Sequence, residues 1–482
     1  MQEYFSGRSP GGFWMNRKEF NMTIGLGAAA LLLNPHSSAE APEASDKNME
    51  VFSLRGVYFH DGFEVDPIHH APLHWGRDEW MREIRWLKAC GINAIEFATM
   101  LEFNRIPKTD MEKKKISDRL EVMELAHSLG MKFGYILSNT VVSTVPDNEE
   151  PGNQMKNRAV QLCPQKKENF EQTVALQEWY MNTYRKADFY EEFAADWGGC
   201  HCGQCTVDDY MKYVDTFARD AQAMNPEARL YANTWCIAYW GPSPEEQGWK
   251  KVFENEIAGS RNVIELLPAM PPNTHLTLPC HHLYRPLVYQ QCGGKSKTPV
   301  FPTHEDIQSV TQSGRDVMAW PHFIMDDDTG RSMQWGIIHS EVRYIRELLQ
   351  RLQLTGIRQI MGNLYLPWLQ ILNTYAYGRL LQEPSLPAEQ IIHEFAGLIA
   401  SPGDVNQLTE VLFWMENHSY WQEQMPEDAR LPSIPCSMDK AAAASAVEKL
   451  KPNSSPALPL PYSPAEWLQD LSRSIGRMTW VV

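Results

Sequence analysis

The chain has 482 residues, 43% hydrophobic and 22% charged, the composition of a globular protein with a large core and room for a second, smaller domain. A net charge of −16 with no basic stripe excludes nucleic acid as a partner, because phosphate binding needs clustered Lys and Arg. No apolar run is long enough to span a bilayer, so no membrane span is expected in the mature protein.

The first fifty residues read as an export signal and linker. Charged Asn16-Arg17-Lys18-Glu19-Phe20 precedes an apolar run over 22–33, and a polar, small-residue zone follows to about Ala44. Arg17-Lys18 before Phe20 resembles a twin-arginine signal with Lys in place of the second Arg. The expected location is therefore periplasmic or extracellular.

From residue 51 strand and helix alternate. Expected strands cover 55–60, 92–98, 132–139, the run from 187, then 228–235, 275–281, 316–324 and 357–363. Expected helices cover 77–89, 117–129, a segment ending at Tyr184, then 207–224 and 333–353. Eight such strands predict a (β/α)8 TIM barrel over 51–375. The competing doubly wound sheet usually carries a Gly-rich turn after its first strand, and none is present. Helical spacing over 372–380, 387–399 and 405–424 predicts a helical C-terminal domain over 376–430. Residues 431–482, rich in Ala, Ser and Pro, read as a peripheral or partly disordered tail with one short helix at 464–475.

The run Ala187-Asp188-Phe189-Tyr190-Glu191-Glu192-Phe193-Ala194-Ala195-Asp196-Trp197-Gly198-Gly199-Cys200-His201-Cys202-Gly203-Gln204-Cys205 ends its strand on a carboxylate and a Trp. Alternation puts Tyr190, Glu192, Ala194 and Asp196 on the barrel-mouth face, and Phe189 and Phe193 on the helix side. Asp196 is then a candidate general acid, desolvated by Trp197, or else it merely orders the Gly198-Gly199 turn. Glu192, two pleats down, reads as a buried, paired carboxylate. Asp326 and Asp327 follow the seventh strand, across the mouth from the fourth, as candidate base or nucleophile, with a solvated acidic loop as the alternative. Two carboxyl groups flanking a bond are what glycoside cleavage needs.

Other polar and aromatic groups at strand ends suit sugar recognition. They are His60, Glu96, Asn139, His281, Asn363 and the nearby Arg331, with Trp197, Trp235, Trp240 and Trp320 as ring-stacking candidates. The expected partner is a carbohydrate. No cofactor is implied.

Nine cysteines stand at 90, 163, 200, 202, 205, 236, 280, 292 and 436, an odd count with uneven spacing. Cys90 reads as a buried helix residue. Cys200-x-Cys202-x-x-Cys205 with His201 lacks a fourth zinc ligand nearby, which favours a disulfide or inert thiols over metal.

Gly91-Ile92-Asn93-Ala94-Ile95-Glu96-Phe97, the helix end Ser128-Leu129-Gly130-Met131-Lys132 and the acid before Gly198-Gly199 resemble barrel glycosidases of the alpha-glucuronidase and beta-N-acetylhexosaminidase superfamily. The segment Tyr375-Ala376-Tyr377-Gly378-Arg379-Leu380-Leu381-Gln382-Glu383-Pro384 resembles the point where alpha-glucuronidases leave the barrel for a helical domain. The Gly-Gly-Cys-x-Cys-x-x-Cys run, with Leu162-Cys163-Pro164 upstream, is similar to exported members of this group. The resemblance implies a glycosidase acting on a polysaccharide or its oligomers, uronic-acid-containing ones included. Two departures stand out: Asp196 occupies the place of a Glu, and Ala195-Asp196 replaces the Asp-Glu of substrate-assisted hexosaminidases. A non-catalytic carbohydrate-binding barrel and a metal-dependent hydrolase are the alternatives.

Overall fold

A computed structural model describes residues 52–59, 72–98, 106, 109–138, 140–141, 160–194, 200, 202–240, 249–280, 301–321, 336–364, 366–419, 422 and 430–478. Eight strands close a barrel: β1 (Leu54–Phe59), β2 (Ala94–Ala98), β3 (Lys132–Ser138), β4 (Phe189–Phe193), β5 (Arg229–Asn233), β6 (Thr274–Leu278), β7 (Val317–Ala319) and β8 (Gln359–Leu364). Every strand pairs parallel with its neighbours in sequence, and β8 closes on β1 with Asn363 opposite Tyr58.

A parallel pair needs a crossover, and among the described residues a helix follows each strand. These are α1 (Arg77–Ala89), α2 (Asp110–Ser128), α3 (Lys167–Thr183), α4 (Val207–Met224), α5 (Trp249–Leu266), α6 (His304–Gln312), α7 (Val342–Thr355) and α8 (Ile371–Gln382). The fold is therefore the expected (β/α)8 barrel. Local chemistry sets the helix ends. α2 starts earlier than expected because Thr109 and Glu112 cap one another: Glu112 N–H donates to Thr109 Oγ1 at 3.2 Å, and Thr109 N–H to Glu112 Oε2 at 2.8 Å. α7 stops at Gly356, whose φ of +90° suits glycine. α5 and α6 were not expected from the sequence.

Side-chain contacts fix which face of each strand looks inward. Tyr231 on β5 reaches across the barrel to donate to Gln359 Oε1 on β8 at 2.7 Å, so its face is interior. On β4 the inner residues are Phe189, Glu191 and Phe193: the Phe189 ring lies 5.7 Å from Tyr231, and the Phe193 ring 5.5 Å from Trp320. Tyr190 points outward, donating to the Met181 and Tyr184 carbonyls beside α3. The face expected for this strand was thus inverted. All five β4 residues are buried, because helices cover the outside and side chains fill the inside, so no polar alternation marks the two faces.

α8 is both the eighth barrel helix and the bridge to the C-terminal region. The boundary expected at 375/376 falls inside it. It fits tightly on α1: a Cβ at Gly378 would lie 2.2 Å from the Cys90 carbonyl oxygen. Tyr377 OH also donates to the Gly56 carbonyl at 2.9 Å. Beyond it come α9 (Ala388–Ile399), α10 (Val405–Asn417), α11 (Lys440–Val447) and α12 (Pro464–Arg477). The described part of the expected tail is packed, with two helices rather than one. Trp467, Leu471 and Ile475 are buried, Trp467 edge-on to Phe395. Ser474 Oγ accepts the Ile338 N–H at 3.0 Å, and Tyr462 packs edge-on against Trp368.

Candidate functional site

The barrel interior carries polar groups toward the carboxyl ends of its strands. Glu191, central on β4, accepts from Asn233 Nδ2 on β5 at 2.5 Å and from Thr277 Oγ1 on β6 at 2.8 Å. Asn233 Oδ1 in turn accepts the Trp235 N–H at 2.8 Å, which fixes the orientation of the amide. Glu96 on β2 shares the interior. Both carboxyl groups are buried.

Burial disfavours charge and pushes Glu191 up to about 7, opposed by its bonds from Asn233 and Thr277. Glu96 is raised well above the carboxylate range, first by burial and then by the nearby charge of Glu191. The pair therefore splits into a protonated Glu96 and a hydrogen-bonded Glu191 that ionises first. Neither oxygen of Glu96 has a hydrogen-bond partner among the described residues, and neither does the side-chain amide of buried Asn363 on β8. An unpaired buried polar group costs about 1–3 kcal/mol, so such groups point to a ligand more than to stability.

Aromatic rings line the same end. Trp320, after β7, lies 5.1 Å from Tyr58, 5.5 Å from Phe193 and 6.0 Å from Trp235, centroid to centroid. Trp235 is partly exposed; Trp320 is buried. Trp240 is buried too, packed on Tyr210 and Tyr213 of α4. Two non-glycine residues just beyond strands, Cys236 after β5 and Cys280 after β6, hold left-handed φ of 60° and 58°. Strained backbone of this kind clusters where loops build sites.

Of the expected site residues, the structure brings Glu96, Asn363, Trp235 and Trp320 to this one end of the barrel. His60, Asn139, Asp196, Trp197, His281, Asp326, Asp327 and Arg331 lie outside the described residues. Glu192, read as a buried carboxylate, is buried on the outer face, where its charge bears on Tyr210 and Tyr213 of α4. Glu191 escaped the sequence reading. Two adjacent glutamates in a fully buried strand were its only signal, and the assigned face selected the wrong one.

At the start of α4 and before α3, four thiols converge: Cys163, Cys200, Cys202 and Cys205, all sulfurs within 4.8 Å of one another. All four are free cysteines. Cys163 is thus a fourth thiol beside the three of the local motif.

No family model and no curated protein matches the chain. Solved structures do. A GH138 enzyme targeting pectin rhamnogalacturonan II is similar with a TM-score of 0.51 and 10% identity, over 88% of this chain and 56% of that one. A GH84 protein gives 0.47 and 14% over 83% and 58%, and a Thermobaculum terrenum O-GlcNAc hydrolase mutant 0.43 and 13% over 76% and 67%. The chain thus spans little more than half of the GH138 enzyme, and at such identity the likeness is one of fold. The protein has a (β/α)8 barrel followed by a mostly helical C-terminal region, a fold it shares with that GH138 enzyme.

Proposed function

We propose that this protein is a glycoside hydrolase that cleaves O-glycosidic bonds of a polysaccharide or oligosaccharide at the carboxyl-terminal mouth of its barrel. The observation that carries the reading is the Glu96–Glu191 pair, one carboxyl protonated and one poised to ionise, with unpaired polar atoms beside it and Trp235 partly exposed above. Buried polar groups without partners beside a partly exposed ring suit the recognition of sugar hydroxyls and ring faces. Asp196, three residues beyond β4, is the proposed acid, and Asp326 or Asp327 beyond β7 the base or nucleophile. Glu96, Asn363 and Trp235 bind sugar hydroxyls and ring faces, and Glu191 holds the floor of the site through Asn233 and Thr277.

Reducing-end release from a panel of polysaccharides, uronic-acid-containing ones among them, and from aryl glycosides tests this. Asp196→Asn should lower kcat on a responsive glycan by about 10²–10⁴-fold. Full activity in that variant would remove Asp196 from the mechanism. Glycan binding without any release across the panel would make the barrel a binding protein.

A further inference from the structure

We propose that Cys163, Cys200, Cys202 and Cys205 form a structural zinc site that ties the segment before α3 to the loop between β4 and α4. Four ligands at about 2.3 Å around a tetrahedral zinc place their sulfurs about 3.8 Å apart. Here Cys163 Sγ lies 3.9 Å from Cys202 Sγ and 3.7 Å from Cys205 Sγ, while Cys205 Sγ lies 3.4 Å from Cys200 Sγ and 3.6 Å from Cys202 Sγ. The cage has the size of the ion.

The backbone around it is shaped for a metal-bound thiolate. In Cys202-Gly203-Gln204-Cys205, Gly203 has φ of +72°, a turn natural to glycine, and the Gln204 N–H donates to Cys202 Sγ at 3.4 Å. N–H groups aimed at sulfur offset the negative charge that four thiolates bring to one divalent ion. The second segment is fastened alongside: Gln165 Nε2 donates to the Gln204 carbonyl and to Asp209 Oδ2, both at 3.3 Å. The Lys166 N–H donates to the Cys163 carbonyl at 3.1 Å. Binding breaks four S–H bonds, forms four Zn–S bonds and releases four protons to the buffer. Four protein ligands leave no position for water, so the role is structural rather than hydrolytic. All-thiolate tetrahedral sites take zinc or iron, and zinc needs no redox partner.

The clamp bears on the candidate site because Cys200 stands four residues after Asp196. The export expected from the first fifty residues makes oxidation of these thiols the rival outcome. Metal analysis of the purified full-length protein should find about one zinc per chain. Cobalt uptake should give the ligand-field and thiolate charge-transfer bands of a tetrahedral tetrathiolate. Cys202→Ser, at the exposed corner, should lower zinc affinity at least about tenfold, whereas Cys436→Ser, away from the cluster, should keep full occupancy. Zinc below about a tenth of the chain concentration, stoichiometric iron instead, or disulfides among these four cysteines in a non-reducing peptide map would each overturn the proposal. These readouts need no glycan, so they stand or fall apart from hydrolytic activity.

Discussion

Glu191 shows how a single side chain couples the fold to its chemistry. Its carboxyl group is buried on the inner face of β4 with two hydrogen bonds, and burial raises it from the usual 4.5 to about 7. The linkage sign follows. Below about pH 4.5 the group is neutral both folded and unfolded and costs nothing as a charge. Between about pH 4.5 and 7 the unfolded chain ionises while the folded one keeps its proton, so stability falls across that window and levels off above it. Glu191→Gln keeps the shape and removes the charge. Urea unfolding at pH 5 and pH 7.5 should show this part of the decline, on the order of 2 kcal/mol, abolished in the variant. An unchanged difference between the two pH values would mean that Glu191 is not the group responsible.

At the scale of elements, the start of α7 is held from a distant part of the chain. Its N-cap residue, Glu341, supplies no side-chain cap. Glu416 on α10 takes over: Oε2 accepts from Ser340 Oγ and the Val342 N–H at 3.0 Å, and Oε1 from the Arg343 N–H at 2.9 Å. Arg343 Nε pairs with the same carboxylate at 3.2 Å. Burial raises the Glu416 carboxyl above its usual range, and Arg343, the N–H groups of the helix start and Ser340 oppose that shift by favouring the anion. Glu416→Ala removes the carboxylate that pairs with Arg343, which keeps only its bonds to the Pro432 and Glu416 carbonyls, and leaves two N–H donors without an acceptor, so chemical denaturation should show a loss of about 3–5 kcal/mol. Glu416→Gln, which still offers an acceptor oxygen, should lose less. Nothing in the sequence near α7 announces this cap, because its partner lies over seventy residues away.

For the whole molecule, barrel and C-terminal helices share one core. α7 and α8 pack on one another and both pack on α9, and α9 in turn contacts α10 and α12. Trp467, Leu471 and Ile475 from α12 each bury a side chain worth about 1.5–3 kcal/mol. Removing residues 431–482 should therefore forfeit about 5 kcal/mol or more, comparable to the net stability of a domain. Loss of soluble expression, or a large drop in Tm, would report it. A truncated protein melting like the full chain would refute it. Much of the architecture was legible in the chain. α1 and α4 lie at their expected bounds and all eight barrel strands at their expected places, because strand and helix periods and caps are local signals. α5, α6 and α11 were not expected, although a Thr303/Asp306 capping box opens α6 and Asp439 caps the Ala-rich α11; both signals are short and local to helices of only eight or nine residues. What the sequence determined by itself was the alternation of strand and helix, and hence the barrel. The tertiary structure alone decided that Glu191 faces inward rather than Glu192, since a strand buried on both sides carries no polar alternation to read. It alone supplied Cys163 as the fourth thiol, since a metal cage is defined by distance in space and the motif in the chain held only three.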